Sequence, residues 1–484
     1  MANHSLADWR QDTRLSTPFQ CGHPVANAQI QEVAALRDKM VDNLAGSSTN
    51  TPNACVRCLQ RRRFQSQTGR NKMTKTKRLL GAAVLAATFG MPALAEELNL
   101  YLIPSPSSTA IQSFIPAFTE KTGITVNVTE VPYGEAHQKL LLSVQQGQGQ
   151  YDVAQFDNTF LAPYGAAGTM QPLDAWIGAS AEYDIADFAQ GQQDYGKYGG
   201  KTLGLTLSTE PMIQWYRTDI YAELGLQPAK TWDEYMANAK AVKEAGKGDG
   251  AMFGWGPNSS WWWMTLVWSF GGNLYDADLN PTVNSAEAVA ATQFFKDMLA
   301  FGPEGGISAT GDDVTNKFLS TELGAMVQYS GYWGMALDPA NSMHAGKIGT
   351  APMPMGAADI THLAGWNIGI PKDAKNPEAA WQFLEFVLGK SNAKPYLMAG
   401  AAAIGRNSIS SDAELLAIHP YLPLLNIPAS SRIERYPQIR VWPEFEKAVL
   451  DALPSMLNGE VEIQAGLDAL NETLKPILAA EAAN

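Results

Sequence analysis

Flat aromatic side chains and planar hydrogen-bonding groups recur along this chain where its local pattern changes. Trp255, Trp261, Trp262, Trp263 and Trp268 crowd one stretch. Rigid aromatic faces supply much contact area at little entropic cost. Beside carboxylate, amide or guanidinium groups they suit a ligand with apolar faces and a polar rim. Each tryptophan is equally a core residue by type. For Trp261–Trp263, successive side chains point in different directions on a helix or strand, so at least one is expected to face a cleft or solvent. Asp157, with Asn158 beside it, ends a candidate strand. Its carboxylate can accept two hydroxyl hydrogen bonds or cap the helix that follows. Gly365-Trp366 joins a close backbone approach to an aromatic face. Arg406 offers a fork of donors to ligand oxygens or to an acid elsewhere in the chain. Tyr133 adds a hydroxyl and a ring face.

Other chemistry finds little support. The chain has no Gly-x-Ser-x-Gly, no His-Glu-x-x-His and no phosphate loop, so the usual nucleophile, zinc and nucleotide motifs are missing. Its histidines number six and its cysteines three, and all three cysteines precede residue 96. No catalytic residue, metal ligand or cofactor is therefore expected in 96–484.

The elements that must position these groups follow from periodicity. Leu98, Leu100 and Leu102 alternate as a strand. Ile111, Phe114, Ile115 and Phe118 fall at helical spacing, with Gly123 as a stop. Ile124, Val126 and Val128 alternate again. Glu135 to Gln146 reads as a helix closed by Gly147, Tyr151 to Phe156 as a third strand, and Asn158 to Ala167 as a helix. A β-α-β-α-β start implies a mostly parallel sheet covered by helices, with ligands beyond the carboxyl ends of its strands. Those ends are Ile103–Ser108, Val131–Tyr133 and Phe156–Asn158. Further helices are expected at Trp232–Glu244, Ala286–Leu299 (capped by Asn284-Ser285), Pro377–Leu388 and across Trp442–Leu478 with a break near Asn458-Gly459. Strands are expected at Glu322–Gln328 and Asn367–Pro371.

Met73-Thr-Lys-Thr-Lys-Arg78, the apolar Leu79–Phe89 and Ala93-x-Ala95 have the order of a secretory signal cleaved after Ala95. The 72 residues before it are expected to be a misassigned, disordered extension, with Met73 the true start. Within them, Cys21-x-His23 with Cys55-x-x-Cys58 could supply four zinc ligands but lacks tight zinc-finger spacing, and Arg61-Arg62-Arg63-Phe64 resembles a twin-arginine export motif but sits far from the apolar run and ranks below the simple signal. The absence of cysteine after Ala95 points to a free protein rather than a lipoprotein. Residues 1–95 carry a net charge of +8 and the remainder −21, against −13 for the whole chain. An acidic body is unsuited to nucleic-acid phosphates.

The body of the chain resembles the bacterial extracellular solute-binding proteins of family 1, the maltose-binding-protein-like carbohydrate receptors of ABC importers. The phrases that carry the resemblance are Tyr151-Asp-Val-Ala-Gln-Phe-Asp157, Thr231-Trp-Asp-Glu-Tyr235, Gly271-Gly-Asn-Leu-Tyr-Asp276, Gly324-Ala-Met-Val-Gln-Tyr-Ser-Gly-Tyr-Trp333, Gly365-Trp366-Asn-Ile-Gly-Ile370 and Ala379-Ala-Trp-Gln-Phe-Leu384. The resemblance implies an α/β, two-lobed periplasmic-binding-protein-like fold of type II with the ligand cleft between the lobes. Residues 96–208 and 364–390 would form the N-terminal lobe, and 209–363 and 391–484 the C-terminal lobe. Crossings are expected near Leu207–Glu210, His362–Gly365 and Leu388–Ser391. It also implies a ligand-facing role for Glu210 and places Trp333 and Trp366 in cleft segments. With these, Tyr133, Asp157, Asn158, Trp262, Trp263, Gly365 and Arg406 complete the expected binding set. The implied partners are a sugar, polyol or small glycoside and the transmembrane subunits of an ABC permease, with the ATPase subunit indirect. The protein is expected to be a periplasmic monomer. Two other classes stay open: an exported carbohydrate-active enzyme, which needs two carboxylates flanking the bond, and a receptor for a non-sugar such as a polyamine or an anion.

Overall fold

The computed structural model describes residues 96–483 apart from 189, 258 and 428–430. The expectations for the secretory signal, the extension, the Cys21/His23/Cys55/Cys58 set and the Arg61–Phe64 motif lie outside the described residues. Among the described residues no helix is long and apolar enough to cross a membrane.

The expected alternation opens the chain: β1 (Glu97–Leu102), the helix Pro106–Thr122, β2 (Thr125–Glu130), the helix Tyr133–Gln146 and β3 (Val153–Asp157). β1 runs parallel to both β2 and β3. Leu98, Leu100, Tyr101 and Leu102 are all fully buried, because helices cover both faces of this central strand. The helix Pro106–Thr122 starts on a capping box in which Ser105 and Ser108 satisfy each other's backbone amides. It stops at Gly123, whose φ of 76° suits a residue without Cβ. A small hairpin follows, β4 (Lys197–Tyr198) and β5 (Lys201–Thr202), then β6 (Leu205–Thr206). The second sheet contains β7 (Glu210–Arg217), β8 (Asp249–Met252), β9 (Leu323–Tyr329), β10 (Ile348–Pro352) and β11 (Ile360–Ala364). β12 (Trp366–Gly369) and β13 (Arg432–Glu434) complete the strands.

The strands form two main sheets, β2-β1-β3-β12-β6 and β13-β11-β7-β9-β8, with β10 added on β7. Two connections join them directly. Residues 207–209 carry β6 into β7, and Gly365 alone separates β11 from β12. Thus one extended run starts in the second sheet and ends in the first. The two connections are tied together, since the amides of Leu207 and Ser208 both donate to the Trp366 carbonyl, at 2.8 and 3.3 Å. Gly365 has φ +149°, and a Cβ there would stand 2.2 Å from the Ser208 carbonyl oxygen. Glycine is therefore demanded twice at this crossing, by dihedral and by space.

The third passage lies later than 388–391. After the helix Pro377–Leu388, the helix Ala393–Met398 remains against the first sheet's helices. Tyr396 packs on Phe114 at 6.3 Å and donates to the Leu207 carbonyl at 3.3 Å. Arg406 still belongs to this side, donating to the carbonyls of Tyr183 and Leu388 at 2.6 and 2.7 Å. By Ile418 the chain is bonded to Trp333 of the other side, at 2.8 Å. The chain then returns along the junction through β13 before the closing helices Trp442–Leu457 and Ile463–Ala482.

Candidate functional site

β3 and β12 lie antiparallel with Asp157 opposite Trp366, which brings two expected residues to one strand end. Tyr133, the first residue of its helix, reaches the same place. Its hydroxyl donates to Asp157 Oδ2 at 3.1 Å, and its ring meets Trp366 edge-on at 5.8 Å. Asp157 Oδ1 accepts from the Thr159 amide at 2.9 Å, so the carboxylate also caps the 3₁₀ turn Asn158–Phe160. The capping alternative raised for Asp157 thus holds on Oδ1, while Oδ2 accepts from a hydroxyl of the protein itself. Tyr133, Asp157 and Trp366 are each half-buried, as side chains lining a cleft should be.

The junction supplies the floor. Glu210 begins β7 and is 7% exposed. Its Oε1 accepts from Ser208 Oγ at 2.5 Å, and Ser208 Oγ accepts from the Trp366 amide at 3.2 Å. Gly331 makes room for it, since a Cβ there would stand 2.2 Å from Glu210 Oε2.

The opposing wall comes from the second sheet and the closing helices. Tyr329 ends β9 and donates to the Tyr436 hydroxyl at 3.3 Å. Behind it, His362 Nδ1 meets Thr265 Oγ1 at 2.6 Å. Trp261 packs on the Tyr329 ring at 4.8 Å. Glu446, half-buried on the helix Trp442–Leu457, accepts from Ser260 Oγ at 2.6 Å.

Electrostatics ties these walls together. Burial pushes Glu210 up to about 7, the Ser208 hydrogen bond opposes the shift and Asp157 adds to it. Burial likewise pushes Glu446 up to about 7, with Ser260 opposing and Asp157 reinforcing. Burial raises Asp157 itself above the usual carboxylate range, against hydrogen bonds from Thr159 and Tyr133. Burial depresses His362 to about 3, so it stays a neutral hydrogen-bonding ring. The assembled groups are aromatic faces, hydroxyls and carboxylates. Among the described residues no group of three or more His, Cys, Asp or Glu is placed to hold a metal.

The profile of the bacterial extracellular solute-binding proteins matches residues 104–394, more than half of the chain. The chain belongs to this family. This solute-binding protein is 28% identical over 333 residues to a probable amino-acid ABC transporter periplasmic-binding protein of Sinorhizobium fredii, covering 67% of this chain and 75% of that one. It is 24% identical over 327 residues to a mannitol-binding protein of Pseudomonas aeruginosa, covering 65% and 74% respectively. Its fold superposes on an ABC transporter solute-binding protein of Agrobacterium radiobacter solved in complex with ribitol, with TM-score 0.73 and 26% identity over 79% of this chain and 98% of that one. The fold is the two-lobed α/β type II arrangement.

Five expected residues, Tyr133, Asp157, Glu210, Gly365 and Trp366, are brought together where the two sheets join. Asn158 stands just behind, 2% exposed, donating to the Tyr195 carbonyl at 2.8 Å and accepting from Gln438 Nε2 at 2.9 Å. The remainder go elsewhere. Trp262 and Trp263 are 1% and 0% exposed, with their indole N–H groups committed to the Val327 carbonyl and Thr292 Oγ1, each at 2.8 Å. None of Trp261–Trp263 faces solvent, since every residue of the helix Trp261–Ser269 is buried, and of the three only Trp261 reaches the opposing wall, on the Tyr329 ring. Trp333 is also largely core, packed on Trp215 at 5.2 Å and donating to the Ile418 carbonyl. Arg406 is a structural clamp rather than a ligand donor. Its side chain is fully buried, its guanidinium bridges the carbonyls of Tyr183 and Leu388, and Asp187 pairs with it at 3.3 Å.

Sequence reasoning missed Glu446, Tyr329, Tyr436 and His362. Tyr329 lay inside a quoted family phrase and His362 inside an expected crossing. Glu446 had its own signal. Trp442, Phe445, Val449 and Leu453 form the buried stripe of its helix, and an acid at position 446 interrupts that stripe at helical spacing.

Proposed function

We propose that this chain is the periplasmic receptor of an ABC importer and binds a small polyhydroxy solute, a sugar or polyol, between its lobes. The observation that carries this reading is the wall of Tyr133, Asp157 and Trp366, an aromatic face joined to hydroxyl and carboxylate groups at one strand end. A polyol or sugar needs both features at once, C–H surface against a ring and hydroxyls against acceptors. The likeness to a mannitol-binding protein and to a ribitol complex supports the same class. The protein acts as a binder and not a catalyst: it works as a monomer, closes its lobes on the solute and hands it to the permease's transmembrane subunits. Export through Met73–Ala95, cleavage after Ala95 and release as a free periplasmic protein belong to the same proposal.

A thermal-shift screen of the purified protein against sugars and alditols tests it. A ligand that binds only the folded state, at roughly a hundredfold excess over Kd, adds about 2.7 kcal/mol of stability. Saturable stabilisation with unchanged ligand afterwards is the expected result. Conversion of the ligand to products would return the protein to the enzyme class.

A further inference from the structure

We infer that the solute this cleft takes carries an amine on its polyhydroxy frame, as an amino sugar or an aminoalditol does. The inference rests on the reading of the cleft as a carbohydrate or polyol site and narrows it.

Asp157 and Glu210 lie on one chain of contacts, Asp157 opposite Trp366, whose amide donates to Ser208 Oγ, which in turn donates to Glu210, and Glu446 stands on a closing helix, held by Ser260. Asp157 is close enough to raise the affinity of both glutamates for protons. Each is held by hydroxyl or amide donors, namely Tyr133 and Thr159, Ser208, and Ser260. Among the described residues, none of the ion pairs made by lysine or arginine includes any of the three. Buried carboxylates that repel one another without a cation are costly. A neutral alditol offers hydroxyl donors, which satisfy lone pairs and leave the repulsion in place. An ammonium group removes it.

Two further observations point the same way. The Tyr195 hydroxyl is buried with no hydrogen-bond partner, although its residue is only 1% exposed. It feels Asp157 and Glu210, opposed by the Arg435 guanidinium over its ring, and lies 3.3 Å from where a Cβ of Gly365 would stand, so it faces the junction that carries Trp366. An unpaired buried hydroxyl beside two acids lacks a polar atom that a ligand can bring. The walls are also aromatic, with Tyr133 against Trp366 on one side and Tyr329 on the other, and aromatic rings can attract a cation. Finally, the −21 charge of residues 96–484 draws cations toward the protein at long range.

The amine is expected to act on groups that still hold protons near neutrality. Glu210 faces Asp157 and the tyrosines 195, 329, 332, 396 and 421, and Arg435 lies over the Tyr195 ring. Glu446 faces Asp157, Tyr133 and Tyr436. His362, beside Tyr329, stays neutral. Binding a cation among these groups expels protons from the two glutamates, whereas a neutral ligand expels none.

Isothermal calorimetry on the wild-type protein with paired probes decides the matter: D-glucamine against D-sorbitol, and D-glucosamine against D-glucose and N-acetyl-D-glucosamine. The expected result is at least about tenfold tighter binding of the amines, with net proton release seen by repeating the titration in buffers of different ionisation enthalpy. The preference of glucamine over sorbitol should shrink between about pH 8 and about pH 6, as the carboxylates protonate, and should shrink again in Glu446→Gln. The proton count needs no variant, so a misfolded Glu446→Gln leaves the test intact. Equal or tighter binding of sorbitol or glucose, without proton release, overturns the inference and leaves the receptor reading standing. Failure of every sugar and alditol, charged or neutral, overturns both.

Discussion

Asp157 divides its oxygens between a turn it caps and the hydroxyl of Tyr133, and this division sets what substitutions there and around it should do. Tyr133→Phe removes the donor to Asp157 Oδ2 and keeps the ring against Trp366, so ligand affinity should fall about fivefold, near 1 kcal/mol. Trp366→Ala removes the ring itself and should cost about a hundredfold in affinity, as loss of a central aromatic contact does. Trp262→Ala and Trp263→Ala should behave in the opposite sense. Both side chains are core, so each should lower unfolding stability by about 3–5 kcal/mol; the affinity of the protein that remains folded should change little. Calorimetry and urea unfolding on the four variants separate the two groups. A loss of affinity in the core pair without loss of stability would contradict this placement. The contrast shows where residue-level reading stops. Trp366 was reached through the resemblance and lies at a strand end opposite Asp157. The run Trp261–Trp263 could not, because its helix is apolar on every face and only tertiary closure shows that all sides are covered. Arg406 misled for a related reason: a fork of donors suits carbonyl oxygens of the fold as well as oxygens of a ligand, and no local pattern distinguishes them.

At the scale of elements, the junction between the sheets carries both the proposed hinge and the floor of the proposed site. The periodic pattern placed the strands and helices well, including Trp232–Glu244 and Pro377–Leu388 to their ends, because capping residues and apolar spacing are local. The third passage was placed by the resemblance alone, and no local pattern marks it; Arg406 still donates to the Tyr183 and Leu388 carbonyls of the first side. The junction also carries a testable pH dependence. Glu210 binds its proton more tightly folded, near 7, than at its ordinary 4.5. Folding therefore takes up a proton between these values, and the stability this adds at low pH is lost as pH rises through about 7. His362, His137 and His419 act in the opposite direction below their ordinary 6.5, since burial depresses all three. They are common to wild type and to Glu210→Gln, and cancel in the difference. The stability of Glu210→Gln relative to wild type should accordingly rise by about 1–3 kcal/mol from about pH 5 to about pH 8, measured by urea unfolding of the ligand-free proteins. A difference that is flat or of opposite slope would mean that Glu210 is ionised throughout.

Across the whole molecule, closure has to be compatible with two tied connections and a third strand of chain that crosses the same gap. Gln438 spans from the closing segment to Asn158 at 2.9 Å, and Arg435 lies over the Tyr195 ring at 5.1 Å, so the segment after β13 touches the first lobe from the second. Rotation of one lobe must then be absorbed at 207–209 and at Gly365, where the Leu207 and Ser208 amides share the Trp366 carbonyl. Ligand should shift the population toward the closed form by bonding both walls at once, and small-angle scattering should record a fall in radius of gyration on the order of 1 Å from a compact value of about 21 Å. Gly365→Ala places a Cβ 2.2 Å from the Ser208 carbonyl at φ +149°. It should cost about 2–4 kcal/mol of stability through strain and overlap, and it should reduce the ligand-dependent change in radius, because the strand that joins the sheets then cannot keep its path. Were Gly365→Ala to close on ligand as far as wild type does, the bending would have to lie in the segment between Arg406 and Ile418 instead, and the two sheet-to-sheet connections would be passive ties.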